Sequence, residues 1–243
     1  MVIFWSIEKM NYLVVTIKQW NLEAYEKYIS KLEGNWSLIT DKKDLTLKNI
    51  RKINPRYIFF PHWSWIVPKE ITDNYDCVCV HMTDLPYGRG GSPLQNLIIK
   101  GHKVTKLTAL KMTQELDTGD VYHKVSLSLS GSAQEIFIDG AYKAYELIKF
   151  IIENKPKPQP QKGEVITFNR RRPSQSEIPK DVAIDKIYDY IRMLDADTYP
   201  AAYIDYGEFR LLCKKAKLEG GKLTMEVEVK KNEYNISYCC ASG

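Results

Sequence analysis

Hydrophobic positions along the chain recur with two periods that alternate along its first half. The runs NYLVVTI, WSLIT, RYIFFP and CVCVH are short and apolar, rich in β-branched and aromatic residues, and read as strands. Between the first two, LEAYEKYISKLEG places Leu22, Tyr25, Tyr28, Ile29 and Leu32 at helical spacing and stops at Gly34. DLTLKNIRKIN reads as a short helix capped by Asp44, and SPLQNLIIKG as one with Ser92 as cap, Pro93 in its first position and Gly101 at its end. Strand and helix in alternation predict parallel strands with helical crossovers, an α/β fold with an open, Rossmann-like, doubly wound and mostly parallel sheet.

KVTKLTALKMT and DVYHKVSLSLS alternate as strands around the turn QELDTG, and AQEIFIDGAYKAYELIKFIIEN is a long amphipathic helix. KPKPQPQKGE, with three prolines in five residues, reads as an extended connector. A helix, IDKIYDYIRMLDA, then opens a small mostly-β region with strands at AAYIDY, FRLLCKKAKLE, KLTMEVEVKK and YNISYCC. The expected organisation is a catalytic domain over 1–165, a connector over 166–184 and a C-terminal α+β subdomain over 185–243. That subdomain, of about 60 residues, is below the size expected to stand alone.

The chain has 243 residues, 44% of them hydrophobic, enough for a sizeable core. No window approaches the roughly 18–20 apolar residues of a membrane span, so a cytoplasmic protein without membrane partners is expected. Its 5 cysteines show neither a secreted disulfide framework nor zinc spacing, and no metal is expected. The net charge of +5 suits an anionic small ligand better than a dedicated nucleic-acid surface.

Candidate chemistry gathers at CVCVHMTDLPYGRGGSP. His81 ends a buried strand on the side where parallel sheets bind ligands, and the glycines after it leave backbone that another molecule can approach. The N-terminus of the helix at Ser92 is expected to face the same space. Asp117, in the LDTG turn, is the candidate to orient the imidazole.

His81, Leu85–Pro86, Gly90 and Pro93, then Gly101 to Thr105, then LDTG, form a pattern that resembles the 10-formyltetrahydrofolate-dependent formyltransferase family. PHWSWIVP and HMTDLPYGRGGSPLQNLI most resemble its nucleotide-sugar branch, which formylates a UDP-linked 4-amino-4,6-dideoxy sugar on the pseudaminic acid route. The resemblance implies 10-formyltetrahydrofolate as co-substrate, a nucleotide-linked amino sugar as acceptor, no nucleic-acid partner, and His81 and Asp117 as the catalytic pair. The family's Asn, thought to hold the developing oxyanion, falls on Cys79; a backbone N–H, protonated His81 or Thr83 would then substitute.

The resemblance further implies folate contacts from Trp63, Ser64, Trp65, Ile66, Leu85, Leu116 and Asp117. For the nucleotide sugar it leaves Lys18, Trp20, Asn21, Thr83, Gly88, Arg89, Gly90, Gly91 and Arg171, with Arg89 gripping a diphosphate. The alternatives are methionyl-tRNA formylation, hydrolysis of the formyl folate, and binding of folate or nucleotide sugar without turnover. The tRNA reading is disfavoured because only about 60 residues, nearly balanced in charge, follow the connector.

Overall fold

The computed structural model describes residues 9–232. The predicted strand at YNISYCC lies outside them. The described residues form two compact units: one of 9–90 with Val104–Ser128 and Phe137–Phe168, the other of Gly91–Lys103, Leu129–Ile136 and 169–232.

The first unit is built on a six-stranded sheet. Its strands are β1 (Asn11–Val15), β2 (Asn35–Ile39), β3 (Tyr57–Pro61), β4 (Cys77–His81), β6 (Val104–Lys111) and β7 (Val121–Ser128), ordered β2-β1-β3-β4-β6-β7. β2, β1, β3 and β4 run parallel, whereas β6 and β7 are antiparallel to their neighbours. The central strands are buried on both faces, which is why they read as continuous apolar runs. One face packs Leu13, Val15, Ile58, Phe60 and Cys77 against Ile39, Ile50 and Ile71. A fifth strand, β5 (Tyr87–Gly90), pairs in parallel with β8 (Ile166–Phe168) apart from the main sheet.

Two helical boundaries differ from the sequence reading. The first helix, α1, spans Gln19–Lys27 and gives way to a short 3-10 turn at Ile29–Lys31 well before Gly34. Gly34 is needed for another reason: a Cβ there would stand 2.6 Å from the Tyr12 ring, at φ +117°. Helix α2 (Leu47–Ile53) is capped by Thr46, whose hydroxyl accepts from Asn49 N at 3.2 Å, and not by Asp44. A cap of this kind contributes about 1 kcal/mol. A single helical turn, α3 (Lys69–Thr72), precedes β4.

The second unit holds α4 (Pro93–Ile99), α6 (Ile184–Arg192) and an antiparallel sheet of β9 (Ala202–Tyr206), β10 (Phe209–Glu219) and β11 (Lys222–Lys231). Helix α5 spans Ala133–Asn154. Arg192 on α6 is buried and compensated: its Nε pairs with Asp189 at 2.7 Å and its Nη1 donates to the carbonyls of Leu129 and Gly131 at 2.6 and 3.0 Å. A buried guanidinium is tolerated only when its donors are met in this way. No described helix is long and apolar enough to cross a membrane.

His62, which follows β3, packs its ring on Phe137 and Trp20 at 4.7 and 5.3 Å. Burial, then the nearby Lys18 charge, pushes its imidazole down to about 3. The unfolded chain therefore takes up a proton near the ordinary value of about 6.5 while the folded chain does not, so stability present above about pH 6.5 is lost as the pH falls towards about 3. A His62→Phe variant is expected to lose less Tm than the native chain across that window, read by thermal melts at stepped pH.

Candidate active site

His81 lies at the carboxyl end of β4, buried to 8% exposure. Its Nε2 is 2.8 Å from the Gly88 carbonyl oxygen and its Nδ1 is 3.5 Å from Asp117 Oδ2. Carbonyl and carboxylate oxygens only accept, so both contacts are complete when both ring nitrogens carry protons. The arrangement thus grips an imidazole on two sides and fixes its plane.

Asp117 is held as firmly. Its Oδ2 accepts from Gly90 N at 2.9 Å, and its backbone takes the left-handed conformation at φ +56°. An aspartate tolerates that region at modest cost, and the cost is met here by outside contacts. Gln161 donates through Nε2 to the carbonyls of Asp117 and Gly119, both at 2.8 Å, while its Oε1 accepts from Arg89 Nε and Nη2 at 3.2 and 2.8 Å. Gly119 is obligatory, because a Cβ would fall 1.8 Å from the Lys111 carbonyl oxygen. Sequence reasoning missed Gln161: it sits in the proline-rich connector, and nothing in its surroundings marks it. Gln161→Ala is expected to lower kcat roughly tenfold with little effect on KM, since it loosens the turn that aims Asp117 and removes no substrate contact.

The glycines after His81 serve the chain itself. A Cβ on Gly88 would come within 2.7 Å of Thr83 and 2.8 Å of Phe168, and one on Gly90 within 2.3 Å of the Phe168 carbonyl oxygen. Gly91 is equally confined by Arg170, 2.6 Å away. The backbone is bare so that β8 and the residues following it can lie against it, which differs from the expected ligand approach.

Other expected contacts are redistributed. Arg89 spends its fork on Gln161 and not on a diphosphate. Thr83 is fully buried and its hydroxyl donates to Gly88 O at 3.3 Å, so it is no substitute oxyanion donor. Leu85, at 1% exposure, belongs to the core, as does Trp20, stacked on Phe137 at 5.0 Å. Arg171 lies over Tyr190, donates to Gln175 O, and takes the Ser92 hydroxyl as acceptor for its backbone N–H at 3.0 Å. Ser92 itself is in the left-handed region and caps nothing on α4.

Cys79, two residues before His81 on the same strand, lies near enough to Asp117 to feel its charge. Burial first, and that carboxylate second, push its thiol up, so it stays protonated and is neither a thiolate nucleophile nor a strong donor.

Several side chains on the loops after β3 and before Asp117 remain uncovered. Ile66, Leu116 and Trp65 are 92%, 68% and 38% exposed, Trp63 meets Trp65 edge-on at 4.9 Å, and the buried Trp63 Nε1 has no hydrogen-bond partner. Ser64 is exposed between the tryptophans. Exposed apolar groups beside an unmet buried donor fit a flat heteroaromatic ligand that carries acceptor atoms.

An α/β sheet with a doubly held histidine–aspartate pair at the carboxyl end of a central strand defines a scaffold for acid–base group transfer. The comparisons make this specific, and the chain belongs to the formyltransferase family. Residues 27–134 match the model described as formyl transferase, and residues 173–230 that described as the C-terminal domain of methionyl-tRNA formyltransferase. The solved structure of a methionyl-tRNA formyltransferase from Clostridium thermocellum is 47% identical, with a TM-score of 0.87 over 91% of this chain and 99% of that one. A methionyl-tRNA formyltransferase from Clostridium perfringens is 27% identical over 74% of this chain and 61% of its own length, so the chain spans about three fifths of that curated relative. HypX from Aquifex aeolicus, solved in complex with tetrahydrofolic acid, shares the fold at a TM-score of 0.71 and 19% identity, over 87% of this chain and 38% of that one.

These findings overturn the nucleotide-sugar acceptor and count against the expected absence of a nucleic-acid partner. The relatives are named for a tRNA substrate, and one matches almost end to end. The argument from a short, charge-balanced tail failed because a C-terminal domain of that type is matched over residues 173–230, starting inside the expected connector.

Proposed function

We propose that this protein transfers the formyl group of 10-formyltetrahydrofolate to the α-amino group of methionyl-tRNA. The observation that carries the acceptor is the 47% identity to a methionyl-tRNA formyltransferase over 99% of its length. The chemistry rests on the His81–Asp117 pair.

The neutral amine attacks the formyl carbon, a tetrahedral oxyanion forms, and the bond to the folate N10 breaks as that nitrogen takes up a proton and the amine gives one up. His81 Nδ1 stays directed at Asp117, while Nε2 exchanges the Gly88 carbonyl for the reacting groups and moves the proton between them. Asp117 keeps the ring oriented and stabilises its charged form, as Gly90 N and Gln161 keep Asp117 in place. The exposed Trp65, Ile66 and Leu116 and the unmet N–H of Trp63 are the groups that would receive the pterin.

Incubation with 10-formyltetrahydrofolate and methionyl-tRNA, then mass analysis of the esterified amino acid, tests the reading. Formylmethionine on the tRNA is the expected product. Unmodified methionine, with active enzyme shown by formylation of a different amine, would refute the acceptor and leave the chemistry standing.

A further inference from the structure

We propose that the carboxyl ends of β1 and β3 carry an oxyanion subsite in which Lys18, Asn21 and the indole N–H of Trp20 receive a phosphate of the acceptor. The proposal deepens the methionyl-tRNA reading and rests on it.

The place is set by topology. In the order β2-β1-β3-β4 the chain leaves β1 towards one side for β2 and crosses to the other for β3, and ligands of open parallel sheets bind outside the strand ends at such a switch. Donors without acceptors collect there. Trp20 Nε1 and Asn21 Nδ2 are buried, each residue at 4% exposure, and neither finds a hydrogen-bond partner. Buried donors are nearly always satisfied, so two adjacent exceptions call for an acceptor that comes from outside the chain.

The charge of that acceptor follows from Lys18 and the helix it precedes. The lysine ammonium stands 5.5 Å from the Trp20 ring, and burial lowers its affinity for its proton, a cost that an anion at the same place would offset. Helix α1 starts at Gln19 with no side chain capping it and no acidic residue in its first turn, so its positive end adds to the same field. Indole N–H, carboxamide NH2 and ammonium together suit a group with several acceptor oxygens and negative charge, and phosphate is that group.

The separation from the chemistry is also right. β1 and β4 are separated by β3 alone, so the strand ends lie roughly 10 Å apart. In an aminoacyl-tRNA about eight covalent bonds separate the α-amine from the 5′ phosphorus of the terminal nucleotide, a reach on the order of 10 Å. An amine at His81 therefore puts that phosphate within reach of Lys18.

The test uses the full chain. In formylation kinetics, Lys18→Ala and Asn21→Ala are expected to raise KM for methionyl-tRNA at least tenfold, with a smaller change in kcat and the folate KM unmoved, and Lys18→Arg to recover most of the loss. An unchanged KM for methionyl-tRNA in Lys18→Ala overturns the proposal. Inorganic pyrophosphate is then titrated into protein labelled with 15N at tryptophan. A shift of the Trp20 indole signal, abolished by Lys18→Ala, supports the subsite even if methionyl-tRNA proves not to be the acceptor. A Trp20 signal indifferent to pyrophosphate at millimolar concentration counts against the subsite whatever the acceptor is.

Discussion

His81→Ala is expected to cut kcat for formyl transfer by about 10²–10⁴, the range of a positioned acid–base group, while both substrates still bind. The imidazole is the only described side chain at the end of β4 that can both accept the amine's proton and donate one, because Cys79 stays protonated and Thr83 is committed to Gly88. Asp117→Asn should fall in the same direction, since an amide leaves the ring without its charged partner and replaces a carboxylate that Gly90 N now holds. Steady-state kinetics of folate release give both numbers. A His81→Ala enzyme with kcat within threefold of the native chain would move the chemistry elsewhere.

Cys79→Asn is expected to raise kcat by up to about 10². Removal of one oxyanion donor typically costs 10²–10³ in rate, and a protonated thiol supplies little of that donation. The substitution places a carboxamide two residues before His81 on β4, where it shares the strand face with the histidine. The added bulk costs about 1–3 kcal/mol of stability, so Tm should drop by several degrees even as the rate rises. A rate unchanged by Cys79→Asn would mean that a backbone N–H or His81 itself already supplies the full stabilisation.

The sheet was legible because its central strands are buried on both faces and therefore appear as unbroken apolar runs, with β6 and β7 showing the alternation of half-exposed strands. The pair His81 and Asp117 was legible on other grounds: His81 ends an apolar run with a titratable group, and Asp117 stands in the LDTG turn between two later strands. What escaped was everything that depends on contacts remote in sequence. Gln161 reaches back 44 positions to Asp117, and no local pattern could show it. The glycines at 88, 90 and 91 looked like room for a ligand, whereas the room is taken by Phe168 and Arg170, far along the chain. Arg89 had the right chemistry for a ligand but met Gln161 first, and the Trp20 ring is spent on Phe137, which leaves only its indole N–H unmet. The acceptor was misread for a different reason, since charge balance and length describe a C-terminal domain too coarsely to decide what it holds.

The most direct test follows tetrahydrofolate release from 10-formyltetrahydrofolate by absorbance, with methionyl-tRNA, with uncharged tRNA and with no acceptor. Release that requires methionyl-tRNA and disappears in His81→Ala is the predicted result. Equal release in all three conditions would contradict the account, because water would then be the acceptor and the protein a hydrolase.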